Sequence, residues 1–235
     1  MKQTYQGGEL ESFSHALRWK AYVRKVLHPF IAGDVVELGA GIGETTKAVR
    51  PGSGAATWLC VEPDKELASR VTTASEAGGL GTGVTTMVGT IEDIPLSSTF
   101  DTALYVDVLE HIEDDRGELV AVARRLRPGG RIVVLSPAWP FLFSAFDAAI
   151  GHHRRYTKAS LRALTPEGAT IEAAFYLDSF GMLASAANKI LMQRSLPTLR
   201  QVLVWDRLMI PVSRLLDPLT GRKFGRSVVM VWRKN

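Results

Sequence analysis

The chain has 235 residues, 46% hydrophobic and 22% charged, the balance of an ordinary globular protein. Its formal charge of +4 comes from cations scattered along the sequence (Arg124, Arg125, Arg127; Arg154, Arg155; Arg222, Lys223, Arg226), a pattern of solvated surface charge that argues against nucleic acid as a partner. One cysteine, Cys60, excludes an internal disulfide; no uncharged apolar run is long enough for a transmembrane segment, and a polar stretch before residue 11 without an apolar signal core makes a cytoplasmic protein the expectation.

Residues 9–31 read as one helix, with Phe13, Leu17, Val23, Val26, Leu27 and Phe30 at helical spacing and Pro29 near its end. Strands and helices then alternate. A short apolar strand over 35–38 leads into a helix over 43–49. A second strand over 57–62, holding Cys60 as a small core residue, precedes Asp64, a suitable cap for a helix over 65–76. A third strand, 84–88, follows the glycine-rich turn 78–83. A fourth, 100–106, is followed by a helix over 114–126, the turn Arg127-Pro128-Gly129-Gly130 and a fifth strand over 131–135. This β-α-β rhythm predicts a parallel sheet covered by helices on both faces, with ligands beyond the carboxyl ends of the strands. After Ser136 the rhythm changes. Residues 137–156 are irregular and rich in aromatics, His and Arg; a helix over 158–164 and a strand over 170–177 follow. The stretch 180–216 is apolar and helical in period, broken by Pro197 and Pro211, and 227–232 is a last strand. No internal repeat or low-complexity tract is present.

The first strand ends in Glu37-Leu38-Gly39-Ala40-Gly41-Ile42-Gly43, a sharp strand-to-helix turn that leaves backbone N–H groups free for a ligand. The spacing G-x-G-x-G is not the G-x-G-x-x-G that seats a pyrophosphate. Glu37, two residues earlier, would repel a diphosphate and attract a cationic amino or sulfonium group. Glu62, at the tip of the second strand, can accept bonds from both hydroxyls of a ribose, and Glu92 or Asp93 can meet an adenine amino group. Adenosine at one end and positive charge at the other describe S-adenosylmethionine (SAM) better than a dinucleotide.

The segments Val36-Glu37-Leu38-Gly39-Ala40-Gly41-Ile42-Gly43, Val61-Glu62-Pro63-Asp64, Phe100-Asp101 through Asp107-Val108-Leu109-Glu110-His111-Ile112, and Leu126-Arg127-Pro128-Gly129-Gly130 resemble, in order and spacing, the successive motifs of class I SAM-dependent methyltransferases. The resemblance covers residues 35–137. It implies an α/β Rossmann-like fold with a seven-stranded, mostly parallel sheet in the order 3-2-1-4-5-7-6, the last strand antiparallel, and SAM as cofactor. It also implies one methyltransferase domain over 1–235: an N-terminal helical cap (1–33), a SAM-binding core (34–137), and an acceptor-side loop, lid helices and last strands (138–235). Carried over by position, Gly39, Ala40, Gly41 and Gly43 line the methionine and ribose with Glu37 nearby. Glu62 with Pro63 holds the ribose, Thr90, Ile91 and Glu92 surround the adenine, and Val106, Asp107 and His111 face the methionine end. Many relatives carry an acidic residue where this chain has Thr90, which shifts weight to Glu92.

Methyl transfer is an in-line displacement that needs the acceptor aligned and its proton removed. Three of the five histidines, His111, His152 and His153, fall where the acceptor is expected. Phe146-Asp147 through Gly151-His152-His153-Arg154-Arg155-Tyr156-Thr157 and His15-Ala16-Leu17-Arg18-Trp19-Lys20 resemble a subset of bacterial class I enzymes that tailor small molecules or glycans. The expectation is methyl transfer to a small-molecule oxygen. His152 or His153 is the base, Asp147 its partner, and Arg154 and Arg155, next to Tyr156, hold a polar or anionic acceptor. Equally, Asp147 paired with Arg154 or Arg155 would simply pin the loop. A small amine, a glycan or a lipid-linked group are the alternative acceptors, and a non-catalytic SAM-binding subunit or an NAD-dependent dehydrogenase are the alternatives in class. Asp107, Glu110 and His111 with His152 or His153 have the donor types of a divalent-metal site, but Leu-Glu-His recurs in methyltransferases without metal, so none is expected. Residues 180–216 are read as a lid, with a homodimer face or contact with a membrane surface as alternatives.

Overall fold

The computed structural model describes residues 8–191 and 197–235. Most of the polar stretch before residue 11, and residues 192–196 of the apolar 180–216 stretch, lie outside the described residues. Apolar runs at 35–38, 58–61, 103–106, 132–135 and 228–232 become strands, because a strand covered on both faces has no place for alternating polar residues. The strands β1 (Ala32–Leu38), β2 (Gly54–Glu62), β3 (Val84–Val88), β4 (Phe100–Val106), β5 (Leu126–Pro137), β6 (Ala169–Leu177) and β7 (Ser227–Lys234) form one sheet in the order 3-2-1-4-5-7-6. Strand β7 runs antiparallel to β5 and β6, and the other neighbours are parallel. This is the α/β Rossmann-like topology expected.

The helices are α1 (Gly8–Ser14), α2 (Leu17–Leu27), α3 (Glu44–Val49), α4 (Lys65–Glu76), α5 (Asp115–Arg124), α6 (Ala145–Ala149), α7 (Lys158–Ala163), α8 (Ser179–Leu191), α9 (Leu199–Val204) and α10 (Ile210–Leu219). A π-helical turn, Trp205–Met209, joins α9 to α10. On one face of the sheet Val35, Leu104, Val133 and Val229 pack with Val26 and Leu27 of α2 and Ile210 of α10. On the other, Val36, Tyr105, Val134 and Val228 pack with Leu119 and Val122 of α5 and Leu161 of α7. Asp64 caps α4 as its position suggests, accepting from the backbone N–H of Glu66 and Leu67.

Two local outcomes depart from the sequence reading. The single helix over 9–31 is two helices, broken at His15-Ala16. Ala16 has no side chain to cap α2, and the carboxylate of Asp206, far along the chain, accepts from the N–H groups of Arg18 (3.2 Å) and Trp19 (2.8 Å) instead. Residues 137–156, expected to be irregular, contain a 3-10 turn (Pro140–Leu142) and α6. The turn expected at 127–130 is present as a bulge inside β5: Leu126 pairs with Phe100 and Arg131 with Thr102, so the residues between have no partner on β4. Arg127 uses that excursion to bind Asp34 (2.8 Å) and Asp101 (2.5 Å).

The region 178–217 is organised around buried acids. Asp217 accepts from the Tyr22 hydroxyl (2.8 Å) and from the N–H groups of Asp178 and Ser179. Asp178 accepts from Trp205 Nε1 (2.8 Å), Ser213 Oγ (2.6 Å) and the Gly181 N–H. Pro211 in the first turn of α10 has no N–H to offer the Arg207 carbonyl, which is taken by the Arg18 guanidinium at 2.8 Å.

Glu37, the last residue but one of β1, is 2% exposed. Its Oε2 accepts from Thr46 Oγ1 (2.5 Å) and Trp58 Nε1 (2.7 Å). Burial pushes its pKa up from 4.5 to about 7 against the pull of those two donors. Because the folded value lies above the unfolded one, the contribution of this group to stability is full below pH 4.5 and is lost as pH rises through about 7. Glu37→Gln, which keeps an acceptor oxygen and cannot ionise, is expected to flatten the pH dependence of urea-unfolding free energy between about pH 4 and about pH 8, which brackets both values. An unchanged slope would show that Glu37 is not the titrating group.

Candidate active site

A cleft of about 930 Å³ opens at the carboxyl ends of the central strands. Gly39, Ala40 and Gly41 form its floor after β1, Glu62, Pro63 and Asp64 flank it after β2, and Thr90 and Ile91 lie after β3. Val106, Asp107 and His111 line it after β4, and Phe13, Trp19, Lys20 and Val23 of α1 and α2 roof it. The roof is tied down by Lys20, whose ammonium binds Glu44 and the Ser14 carbonyl. The close approach at Gly39 is enforced twice. Its φ is +67°, and a Cβ there would stand 2.7 Å from Val108.

Glu62 is the organising carboxylate. It is 6% exposed, accepts from the Gly41 N–H at 2.8 Å through Oε2, and from the Asp64 N–H at 3.0 Å through Oε1. Burial raises its pKa and the two N–H groups oppose the rise. Each oxygen keeps a lone pair, so the group that fixes the glycine turn can also accept from two vicinal hydroxyls. The fit to SAM is therefore good: a glycine floor without a diphosphate-type spacing, a carboxylate with free acceptor capacity, and an acid, Asp107, at the far end for a cationic group. Not every residue carried over by position reaches this wall. Glu37 lies beneath the turn on Thr46 and Trp58, and Gly43 serves as the left-handed N-cap of α3 with its open side towards Leu80. Thr90 and Ile91 face the cleft, whereas Glu92 faces a separate surface depression beside Pro95 and Arg124. Asp93 closes the turn by accepting from the Thr90 N–H at 2.8 Å.

Beyond Asp107 the walls are imidazoles and buried charge. Asp107 has φ +55° and meets solvent through the open cleft, yet it is ringed by His152, Arg226 and Arg155. Enclosure by protein raises its pKa, and those three groups oppose the rise. His111 stands edge-on to His152, with ring centroids 4.5 Å apart. Burial, then the neighbouring His152, lowers the His111 pKa to about 4, so this ring is neutral at physiological pH. His152 Nδ1 is 2.9 Å from Asp147 Oδ1, and its Nε2 is 3.8 Å from Glu110 Oε1.

Asp147 is fully buried and also accepts from Ser144 (N–H 2.8 Å, Oγ 2.7 Å) and Arg155 (Nε 2.8 Å, Nη2 3.0 Å). Burial alone would raise its pKa; the bonds from His152 and Arg155 win and hold it well below the usual carboxylate range. Arg154 turns the other way, to Asp115 (2.7 Å) and the Glu113 carbonyl. The Tyr156 hydroxyl donates to Asp115 at 2.8 Å, and the His153 side chain is exposed while its N–H donates to the Glu110 carbonyl. His152, Asp147 and Arg155 thus come together behind His111, and Arg154, Tyr156 and His153 do not join them.

One group, Arg226, escaped the sequence reading. Arg226, counted there among solvated cations, turns inward over the Trp205 ring (5.0 Å) towards Asp107 and Asp147. It precedes β7 without any motif to mark it. Glu110 is fully buried, and neither carboxylate oxygen has a hydrogen-bond partner; Ser136 lies near without completing a bond. Burial, reinforced by Asp107, raises the Glu110 pKa well above its ordinary value. Glu110, His111 and His152 place one donor atom each within 4.8 Å of one another, an oxygen–nitrogen set able to hold either a shared proton or a divalent cation.

Comparison with known proteins agrees with this geometry. Residues 36–134 match the family model described as a methyltransferase domain. Demethylmenaquinone methyltransferase of Tropheryma whipplei is 29% identical over 135 residues, covering 57% of this chain and 54% of that protein, so the chain matches about half the length of this curated relative. Among solved structures, geranyl diphosphate methyltransferase in complex with SAM superposes with a TM-score of 0.65 at 16% identity, covering 100% of this chain and 93% of that one. A SAM-dependent methyltransferase from Mesorhizobium loti gives 0.61 at 17% identity, covering 94% and 100%. Residues 36–134 thus resemble a methyltransferase domain, and the strand order 3-2-1-4-5-7-6 agrees with the fold of the solved structures on which the chain superposes.

Proposed function

We propose that the protein transfers a methyl group from SAM to an oxygen of a small-molecule acceptor. The observation that carries the reading is the position of the His111–His152 pair, at the far end of the cleft from Glu62 and beside Asp107. SAM bound there supplies an electrophilic methyl on a sulfonium. Glu62 accepts from the ribose hydroxyls, Gly39 and Gly41 let the ligand approach the backbone, and Asp107 faces the cationic amino-acid end. An acceptor hydroxyl must lose its proton as it attacks in line. The neutral His111 ring at the wall receives it, and His152 behind shares the resulting charge. Asp147 is a positioning residue: by accepting from Nδ1–H it fixes the tautomer of His152 and leaves Nε2 directed to the interior. Arg155 and Arg226 add positive potential on the same side, which favours a polar or anionic acceptor.

Calorimetric titration checks the cofactor. SAM is expected to bind and NAD not, and Glu62→Ala is expected to weaken SAM by roughly 10- to 100-fold, the worth of charge-assisted hydrogen bonds to two hydroxyls. Tight NAD binding without SAM binding would overturn the reading. Formation of S-adenosylhomocysteine with candidate acceptors then separates an enzyme from a SAM-binding subunit. In that assay His111→Ala and His152→Ala are expected to lower kcat by about 10²- to 10⁴-fold with SAM affinity retained, while His153→Ala leaves it near wild type. Equal loss in all three variants would remove the base assignment.

A divalent cation is a second reading, favoured by the two unpartnered oxygens of Glu110. Prolonged dialysis against a chelator distinguishes the two: activity is expected to survive if Glu110 holds a proton, and to vanish and return with added Mg²⁺ or Zn²⁺ if it holds a metal.

A further inference from the structure

The helical segment from α9 to α10 is inverted with respect to polarity. Its inward face carries Trp205, Asp206, Ser213 and Asp217, with Asp206 capping α2 and Asp217 gathering Tyr22 and the start of α8. Its outward face carries Val204, Leu208, Val212, Leu215 and Leu219, spaced at three and four residues so that they form one stripe. Leu208 is 65% exposed, Leu215 73% and Leu219 82%. Arg200, Arg207 and Arg214 recur every seventh residue and so run along one edge of the stripe. Both acids of residues 197–223 are buried, which leaves its outer surface with Arg200, Arg207, Arg214, Arg222 and Lys223 and no carboxylate. Among the described residues no acidic side chain pairs with Arg200, Arg207 or Arg214.

We infer that this face docks on the surface of an anionic lipid bilayer. An apolar stripe edged by cations, about 30 Å long at 1.5 Å per residue, is the geometry of a helix lying in the headgroup plane, with leucines among the acyl chains and arginines at the phosphates. Charge decides between lipid and a second copy. A two-fold contact through this face would bring cation rows together with no acid on either side, whereas an anionic leaflet neutralises each arginine. The docked helix is not remote from the site. Trp205 on its inner face packs on Trp19 (5.6 Å) and Phe13 (6.1 Å), both of which roof the cleft.

Sedimentation with phosphatidylcholine vesicles, and with vesicles also containing phosphatidylglycerol, tests this without any assay of methyl transfer. The full chain is expected to sediment with the anionic vesicles and to be released by high salt. Partitioning is expected to fall at least about tenfold on neutral vesicles, and by a similar factor for the variant Leu208→Ser/Leu215→Ser/Leu219→Ser and for Arg207→Gln/Arg214→Gln. These positions are solvent-facing, so equal melting temperatures of variants and parent confirm that folding is unaffected. Three results would overturn the proposal: a parent chain that stays in the supernatant, triple-serine binding equal to that of the parent, or a dimer in solution that the serine variant dissociates.

Discussion

A sheet covered by apolar side chains on both faces leaves polar chemistry nowhere to go but the strand ends. Here β1, β2 and β4 end side by side, and the sequence reverses direction across the sheet at β1. Each end contributes a different group: a glycine turn, Glu62 and Asp107. The carboxylate of Glu62 holds the first two together, because it bonds both the Gly41 and the Asp64 N–H. The cleft is thus a by-product of how the core is closed, sharpened by one acid.

The molecule buries many other acids, and how each is satisfied separates structure from chemistry. Glu37, Asp147, Asp178, Asp206 and Asp217 all accept hydrogen bonds from donors that the fold fixes. Glu110 is enclosed as completely and accepts none. An unpartnered buried carboxylate is costly, of order 1–3 kcal/mol even when neutral, and such a cost is tolerated where a proton or an ion has to be accommodated. Asp147 shows the contrast: a long loop is pinned by it, and His152 inherits a fixed orientation from the same bonds.

The strands and the glycine turn were legible because they rest on local signals, apolar runs and turn residues that have few other uses, whereas the order of the strands followed from the resemblance of the motifs to a known family. The position of Glu62 at the cleft was legible for the same local reason: it ends a strand. Sequence reasoning lost its footing where the cause lay far away. The break at Ala16 is written at Asp206, and the inward turn of Arg226 depends on Trp205 and Asp107. Glu92 and Thr90 are two residues apart, and only the 3-10 turn closed by Asp93 decides which of them faces the cleft. The 198–219 stretch shows the limit most directly. A periodic pattern reveals that a helix has two faces; it does not say which one points in, and here three polar residues with assured partners take the inside.

The bond from Asp206 to the first turn of α2 joins residues 188 and 187 positions apart. During synthesis from the N-terminus, α2 therefore emerges with its leading N–H groups uncovered and waits for almost the whole chain before they are met. The Arg18 guanidinium has the same delay, since the carbonyl it binds belongs to Arg207. The order of events follows: the strands carrying the glycine turn and Glu62 can assemble early, while the roof over them closes last. A chain interrupted before α9 would hold a cleft with a floor and walls, and a roof held by Lys20 and Glu44 without the cap from Asp206.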